Sequence, residues 1–305
     1  MGTGHLGYHH ARILAGMTGR TVPIFDTDNE RMNKLASELD IRPCGNLDSL
    51  LEECDSVVVA CPTQSHYHVV EKALKTGVHV LVEKPISATA AQGQEMVELA
   101  DDMNLILAVG HSERFNPAIL AAADLIDEPL FVEGHRMAPF NPRGTDVSVV
   151  LDLMIHDIDL VLSFVRSPVI SVQASGVPVL SDNVDIASAR IQFENRCVVN
   201  MTASRISREQ IRKLRFFQHR NYVSVDFAAR KVEAFRVVDG RIEPVPVTVS
   251  EGDALTAELN DFRMACETGC APTVSGLDGL NALRSAQIIS ARIHEAMQDL
   301  LKPAE

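Results

Sequence analysis

Apolar residues in the first third of the chain fall in short runs that alternate with stretches of helical periodicity. Runs rich in β-branched residues predict strands at residues 21–25, 56–60, 78–82 and 105–109. Helical periodicity occupies the stretches between them, at residues 8–16, 30–39, 65–76 and 88–101. Strands that alternate with helices of this length predict an α/β fold with a doubly wound parallel sheet.

The pattern changes after Pro117. A helix, a strand and a second helix are predicted first, at residues 117–126, 130–137 and 149–165. Seven short alternating runs follow, at residues 169–176, 184–193, 196–203, 211–217, 221–227, 230–237 and 241–248. Two further helices are predicted at residues 254–267 and 277–297. We therefore expect two domains, a parallel-sheet domain at 1–113 and an α+β domain at 114–305 with a large open, mostly antiparallel sheet.

Composition excludes several classes of partner. The 305 residues are 46% apolar and 23% charged, and the formal net charge is −13. Nucleic acids and anionic membrane surfaces bind through basic surfaces, so neither is expected as a partner. No apolar run is long enough to span a bilayer and no signal pattern opens the chain, which predicts a cytoplasmic protein. The six cysteines are scattered without a C-x-x-C pair, which is typical of reduced thiols.

The N-terminal stretch fits the pattern G-x-G-x-x-G, with glycines at Gly2, Gly4 and Gly7. Such glycines allow a tight turn and let a pyrophosphate approach the backbone at a helix N-terminus. Asp26 ends the next predicted strand, about 20 residues later, where an acidic residue binds ribose hydroxyls. Further acidic residues lie nearby and no arginine directly follows Asp26, so NAD is favoured over NADP.

The glycine motif normally follows a strand, whereas this sequence begins at Met1 inside the turn. The missing strand would be central in a doubly wound sheet, and its neighbours would be left with unpaired backbone groups. We therefore expect the native product to carry about ten more residues upstream.

Residues suited to chemistry follow three of the predicted strands, in segments 61–66, 83–85 and 110–117. Parallel strands end at one edge of a sheet, so these segments are expected to share one rim. Pro85 holds the backbone of Lys84 extended and presents its ammonium at a stiff strand end; a surface lysine that caps the strand is the alternative. The predicted cofactor contacts are Gly2, Gly4, His5, Leu6, Gly7, Asp26, Cys61, Pro62, Thr63, His66, Glu83 and Lys84.

Asp152 and His156 are four residues apart on a predicted helix, close enough for the carboxylate to orient the imidazole. This arrangement suits acid–base chemistry. One alternative is an amphipathic helix whose acidic face is solvated. A metal site built from Asp152, His156 and Asp159 is a weaker alternative because it has only one imidazole, and we predict no metal.

Together these residues resemble the Gfo/Idh/MocA family of nicotinamide-dependent sugar and polyol oxidoreductases. The resemblance spans almost the whole chain and rests on Gly2 to Gly7, Asp26, Pro62 to His66, Glu83-Lys84-Pro85, Asp152 with His156, and residues 272–279. Segment 110–117 is most similar to the branch that acts on nucleotide sugars, which includes the UDP-N-acetylglucosamine 3-dehydrogenases. The resemblance implies a Rossmann domain, then an α+β domain whose open sheet makes dimer or tetramer contacts. It also implies that Lys84, Asp152 and His156 converge beside the nicotinamide, with a cis peptide possible at Lys84–Pro85.

Oxidation of a secondary alcohol needs a base for the hydroxyl proton and a cation beside the developing alkoxide. We predict that His156, oriented by Asp152, takes the proton and that Lys84 polarises the substrate oxygen. Further candidates to bind a diphosphate or polar sugar group are Arg114, Asn116, Arg136 and Arg143. Two alternatives stay open, an inositol or aldose dehydrogenase of the same family and a non-catalytic dinucleotide-binding sensor.

Overall fold

The computed structural model describes residues 1–18, 21–141 and 147–300. It divides into two compact units. The first unit contains Met1–Ser112 and Ala254–Leu280, and the second contains Glu113–Asp253 and Asn281–Glu305. The sequence pattern had placed residues 254–280 with the second domain; their contacts group them with the first unit. None of the described helices is long and apolar enough to cross a membrane.

The N-terminal segment of the first unit alternates helices with parallel strands, as predicted. Its elements are α1 (His5–Thr18), β1 (Pro23–Ile24), α2 (Asn29–Leu39), β2 (Arg42–Pro43), α3 (Leu47–Leu51), β3 (Ser56–Val59), α4 (His66–Lys75), β4 (His79–Glu83), α5 (Ala90–Asp102) and β5 (Leu107–Gly110). Strands β3, β4 and β5 pair in parallel in that order, and β1 pairs in parallel with β2. The short elements β2 and α3 were not predicted from the sequence.

Strand β4 is central in the three-stranded sheet and is buried on both faces. Val80 and Val82 are fully buried, and each pairs with a residue of β3 and a residue of β5. A continuous apolar run was expected because helices cover both faces of such a sheet. The strand ends at Glu83, directly before Lys84-Pro85.

Met1 and Gly2 lie between the two pieces of parallel sheet and hydrogen-bond to both. The Met1 amino group donates to Val58 O, Ala60 N donates to Met1 O, and Gly2 N donates to Phe25 O. Burial lowers the pKa of the Met1 amino group. A cavity of about 80 Å³ adjoins these residues and is lined by both Ile24 and Val58. Met1 and Gly2 thus connect the β1–β2 pair with the three-stranded sheet through backbone hydrogen bonds.

The second unit is built on one eight-stranded sheet. Its leading elements are α6 (Pro117–Ala122), β6 (Phe131–Met137) and α7 (Ile155–Val165). Seven strands follow, namely β7 (Val169–Val177), β8 (Ile186–Phe193), β9 (Val198–Ser204), β10 (Ile211–Gln218), β11 (Asn221–Asp226), β12 (Lys231–Val238) and β13 (Arg241–Val245). The order in the sheet is β13-β12-β11-β10-β6-β9-β8-β7, and only the β6–β9 pair is parallel among these described strands. The predicted open, mostly antiparallel sheet is confirmed.

Two helices complete the described chain, α8 (Ala254–Thr268) and α9 (Gly276–Leu300). Leu259 and Phe262 of α8 pack with Val58, Leu81 and Ala108 of the three-stranded sheet. Helix α8 therefore covers part of the parallel sheet in the first unit, although it is distant from that sheet in sequence.

Candidate active site

The glycine turn at the start of α1 is packed so tightly that two of its positions accept no side chain. Gly2 has φ +81°, and a Cβ atom there would lie 2.6 Å from Ala60 O. A Cβ atom at Gly7 would lie 2.0 Å from Gly2 O. Gly4, in contrast, has no neighbouring atom within 4 Å of an added Cβ and faces open space. His5 and Leu6, in the first turn of α1, are exposed.

Asp26 is buried and lies two residues after β1, where the sequence pattern predicted the ribose-binding acid. Its Oδ2 accepts hydrogen bonds from Thr3 N at 2.6 Å and Thr3 Oγ1 at 2.8 Å. Arg31 Nη2 lies 2.9 Å from both carboxylate oxygens. Burial raises the pKa of Asp26, but backbone donors at Asp28 and Thr3 and the side chains of Arg31 and Thr3 outweigh it and lower the pKa to about 2. The carboxylate is therefore ionised, and Arg31, which sequence reasoning missed, neutralises part of its charge.

His66 connects the segments that follow β3 and β4. Its Nε2 lies 2.9 Å from Cys61 O, and its Nδ1 lies 3.0 Å from Pro85 O. The side chain is 1% exposed, and burial lowers the pKa of the imidazole. The prediction that the segments after β3 and β4 share one rim of the sheet is therefore confirmed. His66 itself contacts both loops. On the same segment, Cys61 and Thr63 are half-buried and Pro62 is exposed.

Lys84 is half-buried at the end of β4, directly after the buried Glu83. The Lys84–Pro85 peptide is cis, as the resemblance implied. Glu83 Oε2 accepts a hydrogen bond from the Lys84 backbone N–H at 3.2 Å, and its Oε1 lies 2.7 Å from His10 Nε2. Gly110 leaves room for this carboxylate, since an added Cβ would lie 3.0 Å from Glu83 Oε2.

Asp152 and His156 lie in the second unit at an irregular helix start. A π-helical turn, Val150–Met154, precedes α7, so the two residues do not lie on the continuous α-helix that was predicted. Both side chains are half-buried. One-turn π segments occur often at functional sites, because the extra residue redirects side chains. The pairing of Asp152 with His156 stays a prediction.

The other acidic residues of α7 are buried in ion pairs, which contradicts a solvated acidic face. Asp159 accepts from Arg114 Nε at 2.7 Å and from Arg114 Nη2 at 2.8 Å. Arg136 Nη2 donates to Asp157 Oδ1 at 2.7 Å, and its Nη1 donates to Glu113 at 2.9 Å. Burial lowers the pKa of Arg136, but the two carboxylates raise it overall. Both oxygens of Asp159 are engaged with Arg114, which also disfavours the metal site that included Asp159.

The predicted substrate-binding residues therefore occupy different environments. Arg114 and Arg136 are engaged with buried carboxylates, and Asn116 caps α6 by accepting from Ala118 N at 3.0 Å. Arg143 lies outside the described residues. Sequence reasoning also missed His10 and Glu258, which lie close to Glu83. No local spacing connects a residue of α1 with a residue of α8, so the sequence held no signal for this cluster.

The first unit fits a dinucleotide. The open face at Gly4 lies at the N-terminus of α1, where backbone N–H groups favour phosphate, and the ionised Asp26 suits ribose hydroxyls. Residues 1–111 match a model described as the oxidoreductase family with an NAD-binding Rossmann fold, and residues 122–220 match the GFO/IDH/MocA C-terminal domain. The UDP-N-acetylglucosamine 3-dehydrogenase of Acidithiobacillus ferrooxidans is 34% identical over 305 aligned residues, 98% of this chain and 97% of its own. The chain belongs to the Gfo/Idh/MocA family of oxidoreductases. It is thus an NAD-dependent enzyme with a Rossmann-type first unit.

Two solved structures and one further relative are also similar to this chain. The structure of the Acidithiobacillus ferrooxidans dehydrogenase has a TM-score of 0.91 with 35% identity, and the match covers 96% of each chain. The scyllo-inositol 2-dehydrogenase of Bacillus subtilis is 27% identical over 68% of this chain and 66% of its own. The fold also matches an oxidoreductase from Agrobacterium radiobacter in complex with NAD⁺, with a TM-score of 0.86, 16% identity, and coverage of 97% of this chain and 95% of that chain.

Proposed function

We propose that this enzyme oxidises a secondary hydroxyl of a nucleotide sugar such as UDP-N-acetylglucosamine, at position 3, with NAD as the hydride acceptor. The similarity to a UDP-N-acetylglucosamine 3-dehydrogenase over 98% of the chain is the observation that carries this proposal. Inositol dehydrogenases are more distant, with 30% identity over 56% of the chain, 27% over 68% and 24% over 98%, which favours the nucleotide sugar over a free polyol. In this proposal the domain at 1–113 binds NAD and the domain at 114–305 binds the sugar.

In the proposed mechanism Lys84 polarises the substrate oxygen, and His156, oriented by Asp152, takes the hydroxyl proton. Three features support a defined role for Lys84. The last four residues of the strand before it are buried, its backbone N–H donates to Glu83 Oε2, and its side chain is only half-buried. These contacts fix the backbone from which the Lys84 side chain extends, and an ammonium presented by such a backbone can stabilise a developing alkoxide.

The deciding experiment measures NAD reduction with a panel of UDP-sugars, inositols and aldoses. Turnover with a UDP-sugar and none with the polyols supports the proposal, and the reverse selects the inositol or aldose alternative. No reduction with any sugar, combined with tight NADH binding, would leave the sensor alternative.

Lys84→Met tests the role of the lysine. We expect turnover to fall by about a thousandfold or more, since general acid–base and electrostatic contributions are of that order. NADH binding, followed by fluorescence titration, should stay nearly unchanged. The matched control is Lys34→Met, which replaces an exposed lysine of α2. An equal loss of turnover and NADH binding in Lys84→Met would indicate a structural lysine instead.

We also propose that a second copy of the chain docks on the large sheet, giving a homodimer or homotetramer. An aromatic ladder crosses four neighbouring strands on one face of the sheet, with Phe131 opposite Phe217, Phe217 opposite Tyr222, and Tyr222 opposite Phe235. Phe217 and Phe235 are more than a third exposed. Exposed apolar surface of this kind is typical of protein interfaces. Phe217→Glu should shift the protein to monomer in analytical ultracentrifugation, and an unchanged mass would exclude this face. A cytoplasmic location stays a prediction.

A further inference from the structure

Three buried polar side chains meet next to Lys84 within the first unit. His10 comes from α1, Glu83 from the end of β4 and Glu258 from α8. One nitrogen or oxygen atom from each residue lies within 4.8 Å of those from the other two. His10 and Glu258 are each 2% exposed. Neither residue has a part in the mechanism proposed above.

Two members of this cluster are already bound to each other. Glu83 Oε1 lies 2.7 Å from His10 Nε2, and its Oε2 accepts the Lys84 backbone N–H at 3.2 Å. Glu83 is therefore held at both oxygens, by the His10 imidazole at Oε1 and by the Lys84 backbone N–H at Oε2. This carboxylate connects the cluster directly to the backbone of Lys84.

Glu258 is in a different situation. Both of its carboxyl oxygens are buried, and neither has a hydrogen-bond partner among the residues that the structure describes. The charged and titratable groups that face it are Glu83 from β4, Asp261 from its own helix and His10 from α1. Burial, then Glu83 and Asp261, raise the pKa of Glu258 well above its ordinary value. Two carboxylates this close in a buried site do not both ionise without a compensating cation.

We propose that Glu258 is a neutral carboxylic acid that positions Glu83, and through Glu83 the backbone of Lys84. Glu83 is the group that Glu258 would hold, since its Oε1 contacts the His10 imidazole and its Oε2 accepts from Lys84 N. In this proposal the Glu258 hydroxyl donates towards Glu83, and one carboxyl oxygen of each residue lies within 4.8 Å of one oxygen of the other. The link to Lys84 rests on the proposed catalytic function, whereas the protonation state of Glu258 does not.

A divalent cation is the competing occupant, because one imidazole and two carboxylates are ligands that such a cation accepts. In that case Glu83 and Glu258 would both be ionised. The structure favours the proton, since the 2.7 Å contact between His10 and Glu83 directs these two ligand atoms at each other.

Infrared spectroscopy of the full chain tests the protonation state. We expect a protonated-carboxyl C=O band at neutral pH in the wild type that is lost in Glu258→Gln. Metal content is measured on the same samples by mass spectrometry. The absence of a band difference, or one bound metal per chain that is lost in the variant, would overturn the proposal. Neither measurement depends on dehydrogenase activity, so a failed proposed function leaves this test intact.

Kinetics test the positioning role. Glu258→Ala should lower kcat by about tenfold with little change in NADH affinity, and Glu258→Gln should restore most of the loss, because an amide is neutral and has the same shape. A glutamine variant as impaired as the alanine variant would show that the negative charge is needed, contrary to the proposal.

If Glu258→Ala does not fold, the protonation state of Glu258 is tested by comparing how the stabilities of the wild type and Glu258→Gln depend on pH. The folded wild type binds a proton at Glu258 that the unfolded chain releases above about pH 4.5, the ordinary pKa of the group. Wild-type stability should therefore fall relative to Glu258→Gln as the pH rises from that value. A difference in Tm that does not change with pH would contradict a neutral Glu258.

Discussion

The Arg31 guanidinium donates to the Asp26 carboxylate, with Nη2 2.9 Å from both oxygens. The Arg31 side chain is 49% exposed, whereas that of Asp26 is 5% exposed. An arginine thus lies at the position where the cofactor ribose is expected, although none directly follows Asp26 in the sequence. Arg31 reduces the negative charge that would repel a 2′-phosphate.

Arg31 is therefore expected to permit residual use of NADP. Arg31→Ala should raise the preference for NAD over NADP by about tenfold, which corresponds to the loss of one charge-assisted contact. The measurement is the ratio of kcat/KM for the two cofactors. Lys34→Ala, on the exposed side of the same helix, is the control. An unchanged ratio would show that Arg31 serves only to hold Asp26.

Asp26 should contribute to stability in a pH-dependent way. Its pKa in the folded protein, about 2, lies below its ordinary value of 3.8, so the contribution is present above about pH 4 and is lost as the pH falls towards 2. Asp26→Asn should cost about 2 kcal/mol of unfolding free energy at pH 7, and the cost should shrink in acid. Denaturant unfolding at several pH values measures this, with the exposed Asp102→Asn as the control. A cost that is constant with pH would mean that the shape of Asp26 matters more than its charge.

Gly4 and Gly7 should respond differently to the same substitution. Gly7→Ala places a methyl group 2.0 Å from Gly2 O, so it should destabilise the protein by about 1–3 kcal/mol. Gly4→Ala meets no atom within 4 Å and should leave Tm unchanged, yet it should weaken NADH binding by about tenfold because the methyl group fills the open face. Thermal unfolding and fluorescence titration of both variants separate the effects. Equal NADH affinity in Gly4→Ala and wild type would place the pyrophosphate elsewhere.

Asp159→Asn should destabilise the second unit by about 3 kcal/mol, because it removes the charge-assisted two-point contact between the buried Asp159 carboxylate and the Arg114 guanidinium. Denaturant unfolding provides the measurement. Glu267→Gln is the matched control, since it removes one partner of the exposed Arg263–Glu267 pair and should change stability little. A neutral result for Asp159→Asn would mean that the Asp159 carboxylate is not what holds Arg114 and would leave the arginine available to a substrate.

Long elements with strong periodicity were predicted to within a few residues. Helix α2 was expected at 30–39 and spans Asn29–Leu39, and β10 was expected at 211–217 and spans Ile211–Gln218. The short elements β2 and α3 escaped prediction because two to five residues carry too little periodic signal. The π turn before α7 also escaped it, since an inserted residue leaves the apolar pattern of the following helix intact.

The sequence by itself determined the alternation of strands and helices, the glycine turn, the acid at Asp26 and the lysine at the end of β4. Each of these depends on residues that are neighbours in the chain. Only the tertiary structure decided that Arg31 pairs with Asp26, that Arg114 and Arg136 are engaged with carboxylates of α7, and that Glu258 of α8 lies beside His10 and Glu83. The physical reason is that side-chain partners are selected by packing between elements far apart in sequence, which local periodicity does not encode.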